Sequence, residues 1–382
     1  MNILIYENNL NGHRLEYIHH IYDLASRTSN HNFVFVVASN FDQIGHLFQW
    51  KKANNIIIDA SLSNKTTILG RRETLREMIN RSKEYAKNIN YYIKKYDIDR
   101  IFAISIILYI PLLYKYLNKK ISVDGILYSI FPSSNSTFPF QYIDYVKYAF
   151  FALSSRFCNI YILNDLDNAL RLNKIYHTSK FKFIPDPFSP PKNDEIEDLR
   201  NKLSISQDKT IFLHFGGLQK RKGTMLIMDS IRMLSKEEKS RYAFIFAGKV
   251  YDDIKAEFYN AYEDLKNSVQ IYIKDEFCSY EYLADLCQTC DCILIPYLTT
   301  TQSSGLIGYS SYFKRPVISP RDGLIGQLVK TYSLGYILPE TNSVELIKAY
   351  KRVYQGTVQP PSKLYCEMNN IQNFQNVISS GF

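Results

Sequence analysis

Both halves of the chain repeat one alternation: a short, nearly all-apolar run, a loop, then a stretch with apolar positions at helical spacing. In the second half the runs are IFLHF (from Ile211), FIFAG (Phe244 to Gly248), VQIYI (Val269 to Ile273), CILIPY (Cys292 to Tyr297) and PVIS (Pro316 to Ser319). Helical patterns between them include Met225 to Leu234 and Tyr280 to Cys287. Buried strands alternating with helices at this spacing predict an α/β domain with a parallel, doubly wound sheet. The first half reads the same way. NILIYE (Asn2 to Glu7), a helix over Leu15 to Ala25 and FVFVVAS (Phe33 to Ser39) form an opening strand–helix–strand unit. A charged helix over Thr74 to Tyr96, the strand RIFAISI, a helix about Pro111 to Leu117, and the strands GILYS and NIYILND follow. The pattern breaks at IPDPFSPP, Ile184 to Pro191, where prolines hold themselves and their predecessors extended, so the chain divides into domains 1–187 and 188–359.

The loop after Phe215 carries the most pointed chemistry. Gly216 and Gly217 make a tight turn, Lys220, Arg221 and Lys222 form a basic knot, and a helix opens at Gly223. Freed backbone N–H groups, the positive end of a helix dipole and cationic side chains then point at one place, where a diphosphate would be stabilised. The plainer reading is a solvated basic loop tip. A second unusual loop, TTTQSSG (Thr299 to Gly305), also follows a strand, and ligands of such sheets bind beyond the carboxyl ends of the strands. Ser303 and Ser304 could equally be ordinary helix caps.

These residues resemble the retaining, nucleotide-sugar-dependent glycosyltransferases of the GT-B fold, in particular family 4. Gly216, Leu218, Lys222 and Gly223 match that family's phosphate loop, and Gly305, Leu306, Pro316 and Val317 match its second signature. The family's arginine position is Gly217 here, and both signature glutamates are absent, with Gln302 at the first and Tyr309 or Ser310 at the second. The resemblance implies two Rossmann-like domains facing across a cleft, with a terminal segment, about 360–382, returning to the first. It implies a donor diphosphate held by Lys222, with Arg221 or Lys220 supplying the missing charge, and by Gly217, Gln302, Ser303, Ser304 and Gly305. The base would lie by Glu276 and Phe277. It also places Gly12 and His13, in the loop after the first strand, at the reacting centre, with Arg14 adding charge. A lone loop histidine is otherwise more often solvated. No cofactor beyond the nucleotide-sugar co-substrate, and no metal, is implied.

Composition narrows the remaining choices. The 382 residues are 46% apolar, enough for two globular domains. No apolar run spans a bilayer and the start reads as a strand, not a leader. Six cysteines show no secretory framework, which points to a reducing cytoplasm. Cys287, Cys290 and Cys292 lack a nearby histidine and read as buried thiols, not as a metal site. The net charge of +9 and pI near 9.0 fit an acidic partner: a nucleotide diphosphate or an anionic membrane surface. Basic residues of the Thr74 to Tyr96 helix and the loop FPSSNSTFPF (Phe131 to Phe140) are candidates for membrane or acceptor contact, against the simpler reading of solvated surface. No nucleic-acid module is visible, and nucleic acid is not expected as a partner. The expectation is therefore a cytoplasmic glycosyltransferase acting on a glycan or lipid-linked acceptor in surface polysaccharide or glycoconjugate synthesis, with the inner face of the membrane as a candidate docking surface. A non-catalytic GT-B-like binding protein and, further off, a nucleic-acid-binding protein are the alternatives.

Overall fold

The computed structural model describes residues 1–10, 14–45, 48–63, 75–110, 112–128, 140–189 and 196–382. The chain forms two compact units, Met1–Pro185 with Ile371–Phe382, and Asp186–Asn370.

The first unit is a seven-stranded sheet in the order β3-β2-β1-β4-β5-β6-β7. Its strands are β1 (Asn2–Glu7), β2 (Asn32–Ala38), β3 (Ile56–Leu62), β4 (Arg100–Ala103), β5 (Ser122–Leu127), β6 (Phe157–Leu163) and β7 (Phe181–Ile184). Every neighbouring pair is parallel. Side chains alternate across the sheet, so Leu4 and Tyr6 enter one core and Ile3 and Ile5 the other. The charged helix runs over Leu75–Lys95. The helix expected at about Pro111 to Leu117 is present as one turn, Leu113–Tyr116, preceded by a 3-10 turn, Ile106–Tyr109; Pro111 lies outside the described residues. The strand β3 was not anticipated: it lies at the sheet edge, with Ile57 and Ile58 exposed, so its pattern lacks the solid apolar run of a central strand.

The second unit is a six-stranded sheet in the order β10-β9-β8-β11-β12-β13. It comprises β8 (Thr210–Phe215), β9 (Tyr242–Ala247), β10 (Gln270–Lys274), β11 (Cys292–Leu294), β12 (Val317–Pro320) and β13 (Gly335–Leu338). All pairs are again parallel. The strand β11 is shorter than the apolar run CILIPY because Pro296 has no N–H to give, although Ile295 N–H still donates to Ile318 O at 2.9 Å.

The chain crosses between the units at Pro185/Asp186 and at Asn370/Ile371. Residues 360–370 stay with the second unit, where the helix Leu364–Met368 is tied through Ser311 Oγ, which donates to Ser362 O at 2.8 Å and accepts from Cys366 N at 3.3 Å. The final helix, Ile371–Ser379, packs on the helix Arg14–Ser26 of the first unit, with Gln375 Nε2 donating to His20 O at 2.8 Å and the rings of Tyr17 and Phe374 5.5 Å apart.

Candidate functional site

In the second unit the strand order reverses between β8 and β11, so the loops after these two strands flank the crevice where open α/β sheets take their ligands. The chain leaves β8 through Gly216 and Gly217, anchors Leu218 against Val250, and passes a 3-10 turn, Lys220–Lys222, into the helix Thr224–Met233. Gly223 is required at the junction: its φ is +75°, and a Cβ there would sit 2.2 Å from Pro296 O. The two loops are sewn together at this point, with Leu298 N–H donating to Arg221 O at 2.9 Å.

Lys222 folds back over the turn. Its Nζ lies 5.6 Å from the Tyr297 ring centroid and 3.1 Å from where a Cβ on Gly216 would be. No carboxylate pairs with it among the described residues, so its charge is left for a ligand. Arg221 is exposed, and its Nε donates to Gln219 Oε1 at 2.9 Å; Lys220 is exposed as well. Gly217, at the family's arginine position, faces the Tyr251 ring, which any added Cβ would meet at 2.9 Å.

Across the crevice, Gln302 is exposed, and the helix Leu306–Phe313 starts at Gly305. The serine hydroxyls are already engaged: Ser303 Oγ donates to Asp186 Oδ2 at 2.7 Å, and Ser304 Oγ lies 3.2 Å from the Tyr297 hydroxyl. The Ser304 and Gly305 amides donate to no acceptor among the described residues and remain, with Lys222, the anion-binding groups on offer. At the end of β10, Glu276 pairs with Lys274 at 2.8 Å, and the Phe277 ring is 85% exposed. The loops after β10, β9, β8 and β11 follow in spatial order, and three strand spacings span about 14 Å.

Sequence reasoning passed over His214. Alternation on β8 turns it to the face covered by the helix Thr224–Met233, where it is fully buried. Its Nδ1 lies 2.9 Å from Leu294 O and its Nε2 3.0 Å from Thr224 Oγ1. Burial, and the nearby Lys222 charge, push its pKa down to about 4, so the ring is neutral at physiological pH. The available signal was a single polar residue inside a solidly apolar strand.

The first unit reverses strand order between β1 and β4. Gly12 and His13 lie outside the described residues, but both ends of their loop are fixed. Glu7 Oε1 accepts from Asn9 N at 2.9 Å and from Arg14 Nη1 at 2.8 Å. Arg14, expected to add free charge to the loop, is therefore neutralised by Glu7. Burial raises the Glu7 carboxyl above its ordinary range, with the Arg14 charge pulling the other way. Beside it, a small recess is lined by Tyr85, Ser105 and the buried Tyr109 hydroxyl.

The thiols of Cys287, Cys290 and Cys292 are buried and pushed up by desolvation, Cys290 to about 12. Among the described residues no group of His, Cys, Asp and Glu is arranged to hold a metal, and no helix is long and apolar enough to cross a membrane.

No curated protein sequence matches the chain. Similar solved structures include HepE of Anabaena in complex with UDP, at a TM-score of 0.67 and 14% identity, covering 100% of this chain and 99% of that one. WaaG, a glycosyltransferase involved in lipopolysaccharide biosynthesis, gives 0.62 at 13% identity, covering 100% and 95%. UDP-GlcNAc 2-epimerase of Neisseria meningitidis, bound to UDP-GlcNAc, gives 0.59 at 14% identity, covering 100% and 99%. Residues 195–368 match the family model of glycosyl transferases group 1. The chain thus has the GT-B fold, and the greater part of its second unit is similar to the glycosyl transferases group 1.

Proposed function

We propose that the protein transfers a sugar from a nucleotide-diphosphate donor, with retention at the anomeric carbon, to a glycan or lipid-linked acceptor. The observation that carries this reading is Lys222, an unneutralised cation at the switch point of the second unit, where the loop after β11 offers the Ser304 and Gly305 amides. As the bond from sugar to diphosphate breaks, negative charge grows on the leaving phosphate, and a cation and amide dipoles fixed in advance stabilise it without reorganising. The base would stack on the exposed Phe277 ring beside Glu276, at the far end of the row of loops. A uridine nucleotide is the first choice, because HepE is crystallised with UDP and the epimerase with UDP-GlcNAc.

The charge distribution supports an anionic partner for the first unit. That unit carries 23 Lys and Arg against 14 Asp and Glu, whereas the second carries 23 of each, so the whole excess of +9 falls on the first. An acceptor presented on an anionic membrane surface at the cytoplasmic face suits such a half. A second reading, binding of a nucleotide sugar without transfer, is favoured by Gly217 in place of an arginine and by serine hydroxyls already bonded within the protein. Titration with UDP decides the site: Lys222→Ala should weaken binding by about 1–3 kcal/mol, roughly 5- to 150-fold. Unchanged affinity removes Lys222 from the diphosphate. Sugar release from UDP-sugars, followed by NMR of the product anomer, separates transfer with retention from binding alone.

A further inference from the structure

We infer that His214 is a positioning residue for the diphosphate turn: through Thr224 it holds the Lys222 loop in register with the loop that follows β11. This rests on the diphosphate site proposed above. The proton inventory sets the His214 tautomer. Leu294 O can only accept, so His214 carries its proton on Nδ1 and donates it there at 2.9 Å. The bare Nε2, at 3.0 Å, and Gln219 O, at 3.1 Å, are then the two acceptors within reach of the single Thr224 hydroxyl proton, so that hydroxyl ties the ring to the turn. The lone pairs of that hydroxyl are left to accept from Gln219 N at 3.2 Å, at the entrance to the basic turn. Gln219 O in turn receives Lys222 N–H at 3.1 Å.

The result is one connected chain of hydrogen bonds from β11, through β8, to the first residue of the helix and back to the turn. It works at the root of both loops, while Leu298 N–H to Arg221 O and the packing of Gly223 on Pro296 work nearer their tips. Lys222 sits over Tyr297, whose hydroxyl meets Ser304 Oγ at 3.2 Å. A turn seated differently would therefore move the ammonium away from the Ser304 and Gly305 amides that share the phosphate. His214 itself touches no ligand.

Thr224→Val keeps the shape of the side chain and removes the hydroxyl; Thr224→Ser keeps the hydroxyl. The control is Ser230→Ala on the same helix, a buried hydroxyl bonded to the Tyr350 hydroxyl at 2.9 Å and away from the turn. Binding of UDP by calorimetry should weaken about tenfold in Thr224→Val, stay within about threefold of wild type in Thr224→Ser, and be unchanged in Ser230→Ala. Equal affinity of Thr224→Val and wild type, or equal weakening in Ser230→Ala, overturns the assignment. Should the wild type bind none of the uridine, guanosine, cytidine and adenosine diphosphates, the site reading falls, and amide hydrogen exchange then judges the chain of bonds alone. Faster exchange across 217–223 in Thr224→Val than in Ser230→Ala is the expected result, and equal exchange overturns it.

Discussion

Glu7 closes the last position of β1 and His214 the last but one of β8, and each reaches the first residue of the helix that follows, Arg14 in one unit and Thr224 in the other. The topology around them is alike, since both strands sit where their sheet reverses order. The electrostatics are opposed. Glu7 spends the charge of Arg14 inside the fold, at the desolvation cost that a buried ion pair carries. His214 fastens its loop with neutral partners only, and Lys222 keeps its charge. The loop proposed to grip an anion is thus held by groups that do not compete for its cation, whereas the loop of the first unit is held by consuming one.

The widest gap between the two fastenings should appear in acid. His214 has its folded pKa lowered from 6.5 to about 4 by burial, with the Lys222 charge acting in the same direction. Its neutral state therefore stabilises the fold fully above pH 6.5, and this contribution is lost as pH falls toward 4, amounting to about 3 kcal/mol. Glu7 has the opposite sign: its folded pKa is raised, so its contribution is present below 4.5 and lost as pH rises through the folded value. Urea unfolding of wild type and His214→Asn should show their stability difference shrinking by about 3 kcal/mol from pH 6.5 to pH 4. A difference constant with pH would mean that the ring is not held neutral.

A smaller effect sharpens the geometric side. Gly223→Ala should lose about 2 kcal/mol more than Gly356→Ala, because both take positive φ but only Gly223 has a carbonyl where the methyl would go. Equal losses would mean that the Pro296 loop gives way freely. The smallest effect belongs to the first unit. Glu7→Gln removes a charge that burial already disfavours and keeps the acceptor for Asn9 and Arg14, so stability at pH 7 should change by less than about 1 kcal/mol. A loss of several kcal/mol would make the ion pair, against expectation, a net support of its loop.

The sheets were legible because central parallel strands are apolar on both faces; β1, β2, β8 and β9 stand out as solid runs. Strand β3 was not, since an edge strand shows one face to water. The basic glycine turn was legible as a turn because glycines and cations cluster within eight residues of sequence, Gly216 to Gly223. What escaped was whatever depends on side chains meeting across strands. Nothing local says that His214 meets Leu294 and Thr224, that Arg14 belongs to Glu7, or that Ser303 and Ser304 have already spent their hydroxyls on Asp186 and Tyr297.

The two crossings between the units carry a consequence for synthesis. Asn369 holds them side by side, its side chain accepting from Asp186 N at 3.2 Å and its carbonyl from Phe188 N at 2.7 Å. In sequence, the second unit is an insertion in the first, which is complete only once the helix Ile371–Ser379, C-terminal to the insertion, has docked. Until then the apolar face around Tyr17 that Phe374 covers lies open. The half made earliest is therefore finished last, and a chain cut before Ile371 would leave that face of the first unit uncovered while the second unit keeps all of its residues.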